Sequence, residues 1–210
     1  MKQPSVLPNV WPKLPNTEWT DALATLHLWT QIVGKVRLEL SPWLNHSWQP
    51  TLYVTSRGLT TSAIPYGGKT LQIDFDFVDH QLLVATSDGL IVPSQLRPQS
   101  VADFYRDLMA ALASLGIDVS IHTMPNEIED PIPFPEDLVH SSYEPEQVHL
   151  FWRALGQSAR VFEAFRARFI GKCSPVVSSG AASIWRSHGS RGDLRQSTPA
   201  VSPISQMWSQ

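Results

Sequence analysis

Cysteine is all but missing. Cys173 is the only one in 210 residues, so no disulfide can form within the chain. Long apolar runs are missing too: no stretch approaches the roughly 20 residues that a membrane-spanning helix needs. Met1 to Leu14 carries prolines but not the apolar core of a secretory signal. Nor is charge of one sign concentrated anywhere, since 16 Lys and Arg stand against 19 Asp and Glu, for a net charge of −3. Without a basic block, neither nucleic acid nor a membrane is an expected partner, and a cytoplasmic, bacterial-type protein is the expectation. Several catalytic spacings are absent as well. H-E-x-x-H, C-x-x-C and G-x-S-x-G do not occur. Gly67-Gly68-Lys69-Thr70 ends like a phosphate loop, but it lacks the earlier glycine and precedes a strand where that loop precedes a helix. Cys173 follows a helix C-terminus, the wrong pole to stabilise a thiolate.

What is present is periodic. In Thr70 to His80, T-L-Q-I-D-F-D-F-V-D-H, Leu71, Ile73, Phe75 and Phe77 alternate with Gln72, Asp74 and Asp76. Period two puts the apolar set on one face of a strand and the polar set on the other, as in an antiparallel sheet covered on one side. Around it lie Leu52 to Thr61, Leu82 to Thr86 and Leu90 to Leu96, separated by turns such as Ser87-Asp88-Gly89, and they read as a four-stranded meander. Gly58 marks a bulge within the first of these strands.

Helical periodicity brackets the meander. Residues from Asn16 or Thr17 to about Leu38 are apolar on most faces, so a buried helix is predicted. Ser100 caps a helix over Val101 to Leu115, with Asp103 at the capping-box position and Gly116 closing it. Ile117 to His122 reads as one more strand. Pro145 opens a long helix to about Ile170, on which Val148, Phe151, Trp152, Leu155, Phe162, Phe165 and Phe169 face a core. The organisation is then an extended Pro-rich segment, 1–16; an α+β domain of helix, β-meander, helix and strand, 17–123; a Pro-rich loop, 124–143; a long helix that begins a second unit, 144–176; and a tail, 177–210. The fold class is α+β, an antiparallel β-meander of about four to five strands packed with long α-helices. Ile32-Val33-Gly34-Lys35 and Phe169-Ile170-Gly171-Lys172, each followed by Ser-Pro, point to half of a pseudo-twofold repeat.

Several runs together resemble one family: Thr25 to Lys35 (T-L-H-L-W-T-Q-I-V-G-K), Arg57 to Thr61 (R-G-L-T-T), Ile64 to Gly68 (I-P-Y-G-G), Ile73 to Phe77, Ala102 to Tyr105, and Phe165 to Pro175. They are similar to an uncharacterised bacterial family, domain of unknown function 5996, over roughly residues 10 to 176. The family implies no activity, cofactor or site residue. Its pattern continues after Pro175 as F-F-W-G-S-F-D, whereas this chain reads S-S-G-A-A-S over Ser178 to Ser183. A one-base shift in the codons would make the two runs compatible. The expectation is therefore a frameshifted, truncated C-terminal part from about Val177, disordered because Ser, Gly and Pro cannot bury enough apolar surface.

Three constellations carry candidate chemistry. The long first helix holds His27, Gln31 and Lys35, spaced four apart on an apolar element. Buried polar groups need partners, so they either meet neighbouring loops or line a ligand pocket between helix and sheet. His27, Gln31, His46, Trp48 and Arg57 are the expected ligand-binding set, for a small-molecule ligand of unknown identity. Asp74, Asp76 and His80, with Asp79 beside them, are the candidates for acid–base or metal-assisted hydrolysis, the two strand carboxylates being roughly 7 Å apart at Cβ; the alternative is the wet face of a half-buried sheet. Arg166, Arg168 and Lys172 read as a solvated helix face. A structural or interaction module without a small ligand is the third reading. The sequence leaves the cofactor, the enzymatic status and the oligomeric state open.

Overall fold

The structure, a computed structural model, describes residues 11–14, 19–42, 50–168, 170, 176–179 and 185–186. Among the described residues, eight strands form one antiparallel sheet. They are β1 (Thr51–Val54), β2 (Gly58–Thr60), β3 (Ile64–Tyr66), β4 (Lys69–Asp76), β5 (Gln81–Thr86), β6 (Ile91–Gln95), β7 (Val177–Ser179) and β8 (Trp185–Arg186). Their order is β6-β5-β4-β2-β1-β7-β8, with β3 also paired to β4. Three helices, α1 (Thr20–Leu40), α2 (Val101–Ser114) and α3 (Pro145–Arg166), complete the α+β fold.

The alternation in β4 decides which way the sheet faces. Leu71, Ile73, Phe75 and Phe77 are buried beneath α1 and α2, while Gln72 is exposed and Asp74 half-buried on the other face. α1 is buried on most sides, and Trp29 lies at the centre of the core. Its ring stacks on Phe104 of α2 at 4.7 Å and on Tyr143 at 5.5 Å. Fully burying side chains of this kind contributes about 1.5–3 kcal/mol each. Ser100 caps α2: the Asp103 N–H donates to Ser100 Oγ at 3.0 Å, and the Ser100 hydroxyl donates to the Asp103 carboxylate at 2.7 Å, in place of the bond from the Ser100 N–H that a full capping box has. Gly116, at φ +69°, then turns the chain away.

The sheet has more strands than its pattern predicts. Leu52 to Thr61 is not one bulged strand but the β1–β2 hairpin. The Thr55 hydroxyl accepts from the N–H groups of Arg57 (3.2 Å) and Gly58 (3.0 Å), and the Thr55 N–H donates to the Gly58 carbonyl (2.8 Å). Gly58 then passes so close to β4 that a Cβ there would lie 1.8 Å from the Phe75 carbonyl oxygen, which only glycine avoids. Residues 117–122 form no strand. Ile117 and Ile121 are buried, but the Asp118 N–H goes to the Tyr66 hydroxyl (2.9 Å) in place of a ladder partner.

The tail also begins differently. Val177–Ser179 is not disordered but pairs with β1, Leu52 opposite Ser178, and β8 pairs with β7. The rest of 177–210 lies outside the described residues, as do Asn16, Thr17 and Phe169. Of the expected core face of α3, Val148 and Leu155 are buried, Phe151 and Trp152 are half-buried, and Phe165 is 67 % exposed. Gly34 lies inside α1, and Gly171 falls outside the described residues.

Candidate functional site

The polar residues of α1 meet a loop. Gln31 is fully buried. Its Nε2 donates to the Asn126 carbonyl at 3.0 Å, and its Oε1 accepts from the Asn126 N–H at 2.9 Å. His27 Nε2 lies 3.1 Å from Gln31 Nε2 and accepts from it. Lys35 Nζ donates to Asn126 Oδ1 at 3.1 Å and stands 5.8 Å from the centre of the Phe134 ring. Burial lowers the pKa of both His27 and Lys35. The 124–143 loop is thus strapped to α1, and Asp137 and His140 extend it to the start of α2 through their carbonyls, which accept from the N–H groups of Ala102 and Val101.

Arg57 does not join His27 and Gln31. The hairpin turn carries it to the opposite, polar face of the sheet. There its Nε donates to Asp76 Oδ2 and its Nη2 to Asp79 Oδ2, both at 2.6 Å. The other oxygen of Asp76 accepts from the N–H groups of Val78 (2.9 Å) and Asp79 (3.0 Å). Burial works to raise the Asp76 carboxyl; the Arg57 hydrogen bond and these two N–H donors outweigh it and hold the pKa below its ordinary value. The same pair raises Arg57, which stays charged.

Register carries this face across the strands. Thr60, Asp74, Leu83 and Pro93 are successive Cα partners on β2, β4, β5 and β6, and so share one side of the sheet. Beside this row opens a cleft of about 370 Å³ lined by Arg57, Thr60, Ser62, Gln72, Asp74 and Leu83, with Asp76 among its walls. Gln72 Nε2 donates to Asp74 Oδ2 at 2.8 Å. Asp74 Oδ1 is buried and receives no hydrogen bond among the described residues.

His80 stands at the β4–β5 turn with φ +51°. Its Nδ1 is 2.9 Å from the buried Tyr143 hydroxyl. Burial, then the neighbouring His149, lowers its pKa, against the opposing pull of Asp76 and Asp79. Burial and the nearby Asp76 raise Tyr143 in turn, so that hydroxyl keeps its proton. His149 Nδ1–H donates to the Phe77 carbonyl at 3.0 Å, and Trp152 Nε1–H to the Thr55 carbonyl at 3.1 Å, which ties α3 to the same end of the sheet. Among the described residues, no three of His, Cys, Asp and Glu are placed to hold a metal ion.

Of the expected site residues, the structure brings Arg57, Asp74 and Asp76 into one cleft and leaves His80 beyond its lining, at the turn that follows β4. It keeps His27 and Gln31 with the loop, and His46 and Trp48 lie outside the described residues. Thr60, Ser62, Gln72 and Leu83 were not anticipated. The alternation in β4 marks Gln72, whereas Leu83 and Thr60 depend on register, which no local pattern carries. No helix among the described residues is long and apolar enough to cross a membrane. No curated protein and no solved structure matches the chain. A family model does: the one described as a family of unknown function, DUF5996, matches residues 11–179, and the chain belongs to that family.

Proposed function

We propose that this protein binds a small, hydrogen-bond-donating polar molecule, a hydroxyl- or ammonium-bearing compound, in the cleft on the polar face of its sheet. The observation that carries the reading is Asp74 Oδ1, a buried carboxylate oxygen at the wall of a cleft that has no donor among the described residues. Such an acceptor costs about 1–3 kcal/mol while it stays unmet, and a ligand donor that meets it recovers that cost. Thr60, Ser62 and Gln72 supply further polar contacts, and Leu83 gives an apolar wall. Arg57 is spoken for by Asp76 and Asp79, so its role is to shape the cleft.

The test is a thermal-shift and calorimetric screen of sugars, polyols, amino acids and polyamines against the wild type and Asp74→Ala. At least one compound should raise the melting temperature of the wild type and lose its effect in the variant. A panel with no stabilising member, or a shift that survives in Asp74→Ala, would refute the assignment. The metal-assisted hydrolase has less support: one Asp76 oxygen is held by Arg57 and the other by two backbone donors, and His80 Nδ1 faces Tyr143.

A further inference from the structure

The charges of the cleft do not balance. Arg57 is the one basic residue among the described residues that line it. It gives Nε to Asp76 and Nη2 to Asp79, both at 2.6 Å. With Asp79 counted beside the lining residues Asp74 and Asp76, three carboxylates stand with one guanidinium, and two negative charges are in excess. A concave wall concentrates such a field and draws cations to it.

Hydrogen bonding leans the same way. Gln72 Nε2 donates to Asp74 Oδ2 at 2.8 Å. Gln72 Oε1 and Asp74 Oδ1 are then left without a donor among the described residues. The Ser62 hydroxyl supplies a third acceptor on the same lining. Its main chain is held on both sides: the Ser62 N–H donates to Thr60 Oγ1 at 3.0 Å, and the Ser62 carbonyl accepts from Thr61 Oγ1 at 2.8 Å. These bonds keep Ser62 at φ +58°, a left-handed conformation that costs a residue with a side chain energy, and so fix where its hydroxyl stands.

We infer that the ligand is a small aliphatic primary amine, bound as its ammonium ion, an inference that rests on this cleft being the binding site. An ammonium has three N–H donors and no acceptor, which matches the acceptors of Asp74, Gln72 and Ser62. Aliphatic amines keep their proton at neutral pH, so the ligand also answers the excess of negative charge. A neutral polyol brings as many acceptors as donors and leaves that charge unmet. A quaternary ammonium has no N–H to give and calls for an aromatic cage. The described lining holds one ring, Phe75, which is buried in the core. A bare metal ion finds no three of His, Cys, Asp and Glu placed to hold it among the described residues. Ala63 and Leu83 give a carbon chain its apolar wall.

Isothermal titration calorimetry on the full chain at neutral pH tests this. Ethanolamine and butylamine are compared with their uncharged isosteres, ethylene glycol and butanol, and with choline, which keeps the charge of ethanolamine but has no N–H. Both amines should bind, each about tenfold or more tighter than its alcohol, and choline should bind less tightly than ethanolamine by a similar factor. Asp74→Asn, which keeps the shape and removes the charge, should weaken both amines by about tenfold or more. Gln72→Leu, at an exposed residue where the fold is not at stake, should weaken them by about threefold or more, with far-UV circular dichroism unchanged. An alcohol that binds as tightly as its amine, and no longer binds Asp74→Ala, overturns the inference and leaves the cleft as a binding site. Choline binding as tightly as ethanolamine also overturns it. Amine binding that survives in Asp74→Ala overturns both the inference and the site. Silence from amines and alcohols alike overturns the inference, and the wider panel of polar compounds then decides the site.

Discussion

Replacing Asp76 with alanine removes three hydrogen bonds at once. Two are from the N–H groups of Val78 and Asp79, at 2.9 and 3.0 Å, and the third is from Arg57. A buried donor left without its acceptor costs about 1–3 kcal/mol. Val78 and Asp79 are exposed residues, so water reaches part of that turn and the lower end applies, about 1 kcal/mol for each N–H. The ion pair adds little, because the Arg57 side chain is half exposed. Asp76→Ala should therefore destabilise by about 2–3 kcal/mol, and Asp76→Asn, which keeps an acceptor for the turn, by about 1 kcal/mol or less. Urea unfolding followed by tryptophan fluorescence resolves that difference. The pH dependence gives a second reading. Because folding depresses the Asp76 carboxyl, its contribution is complete above the ordinary carboxylate range and is lost as the pH falls through the lower, folded-state value. The wild type should lose stability more steeply than Asp76→Asn below about pH 4. An alanine variant within about 0.5 kcal/mol of the wild type, or one no worse than asparagine, would refute the view that this carboxylate holds the turn.

Two further outcomes follow from groups buried on the other side of the sheet. Gln31→Leu should cost about 2–3 kcal/mol, because it strands both backbone groups of Asn126, and hydrogen exchange should show residues 124–130 losing protection before the strands do. His27 and His80 both have pKa values lowered by burial, so the unfolded chain binds their protons first. Stability should fall as the pH drops from about 7 through 6.5. His80→Gln should flatten that fall, measured as the urea midpoint at successive pH values; a stability that rises on acidification over this range would contradict the burial of neutral imidazole.

The parts of the fold that show in the sequence are those whose cause is local. The alternation of Leu71 to Phe77 places the core face because a strand has only two sides. Ser100 with Asp103, and Gly116, mark the ends of α2 because capping acts within one turn of helix. What the sequence hides is pairing over distance. Nothing near Gln31 announces that its amide will be met by the backbone at position 126. Nothing near Arg57 says that a hairpin will swing it over Asp76 and away from His27. The strand expected over residues 117–122 is lost where Tyr66, at the end of β3, takes the Asp118 N–H. The cleft depends most on register, since Thr60, Asp74 and Leu83 become neighbours only once three strands have paired. The apolar sequence of α3 correctly announces a helix but does not say what covers it, and its last turns stand in the open.

Gln31 grips residue 126 by its main chain, through groups that every amino acid but proline possesses. The strap therefore tolerates almost any side chain at that position, and the lysine does not. Lys35, 6 % exposed, has the Asn126 amide oxygen as its hydrogen-bonding acceptor and the face of Phe134 beyond it. A change at 126 would leave the loop tethered while stranding an ammonium in a dry place. Drift at one site would then be felt at the other, as a further push toward the neutral amine in the direction in which burial already moves Lys35.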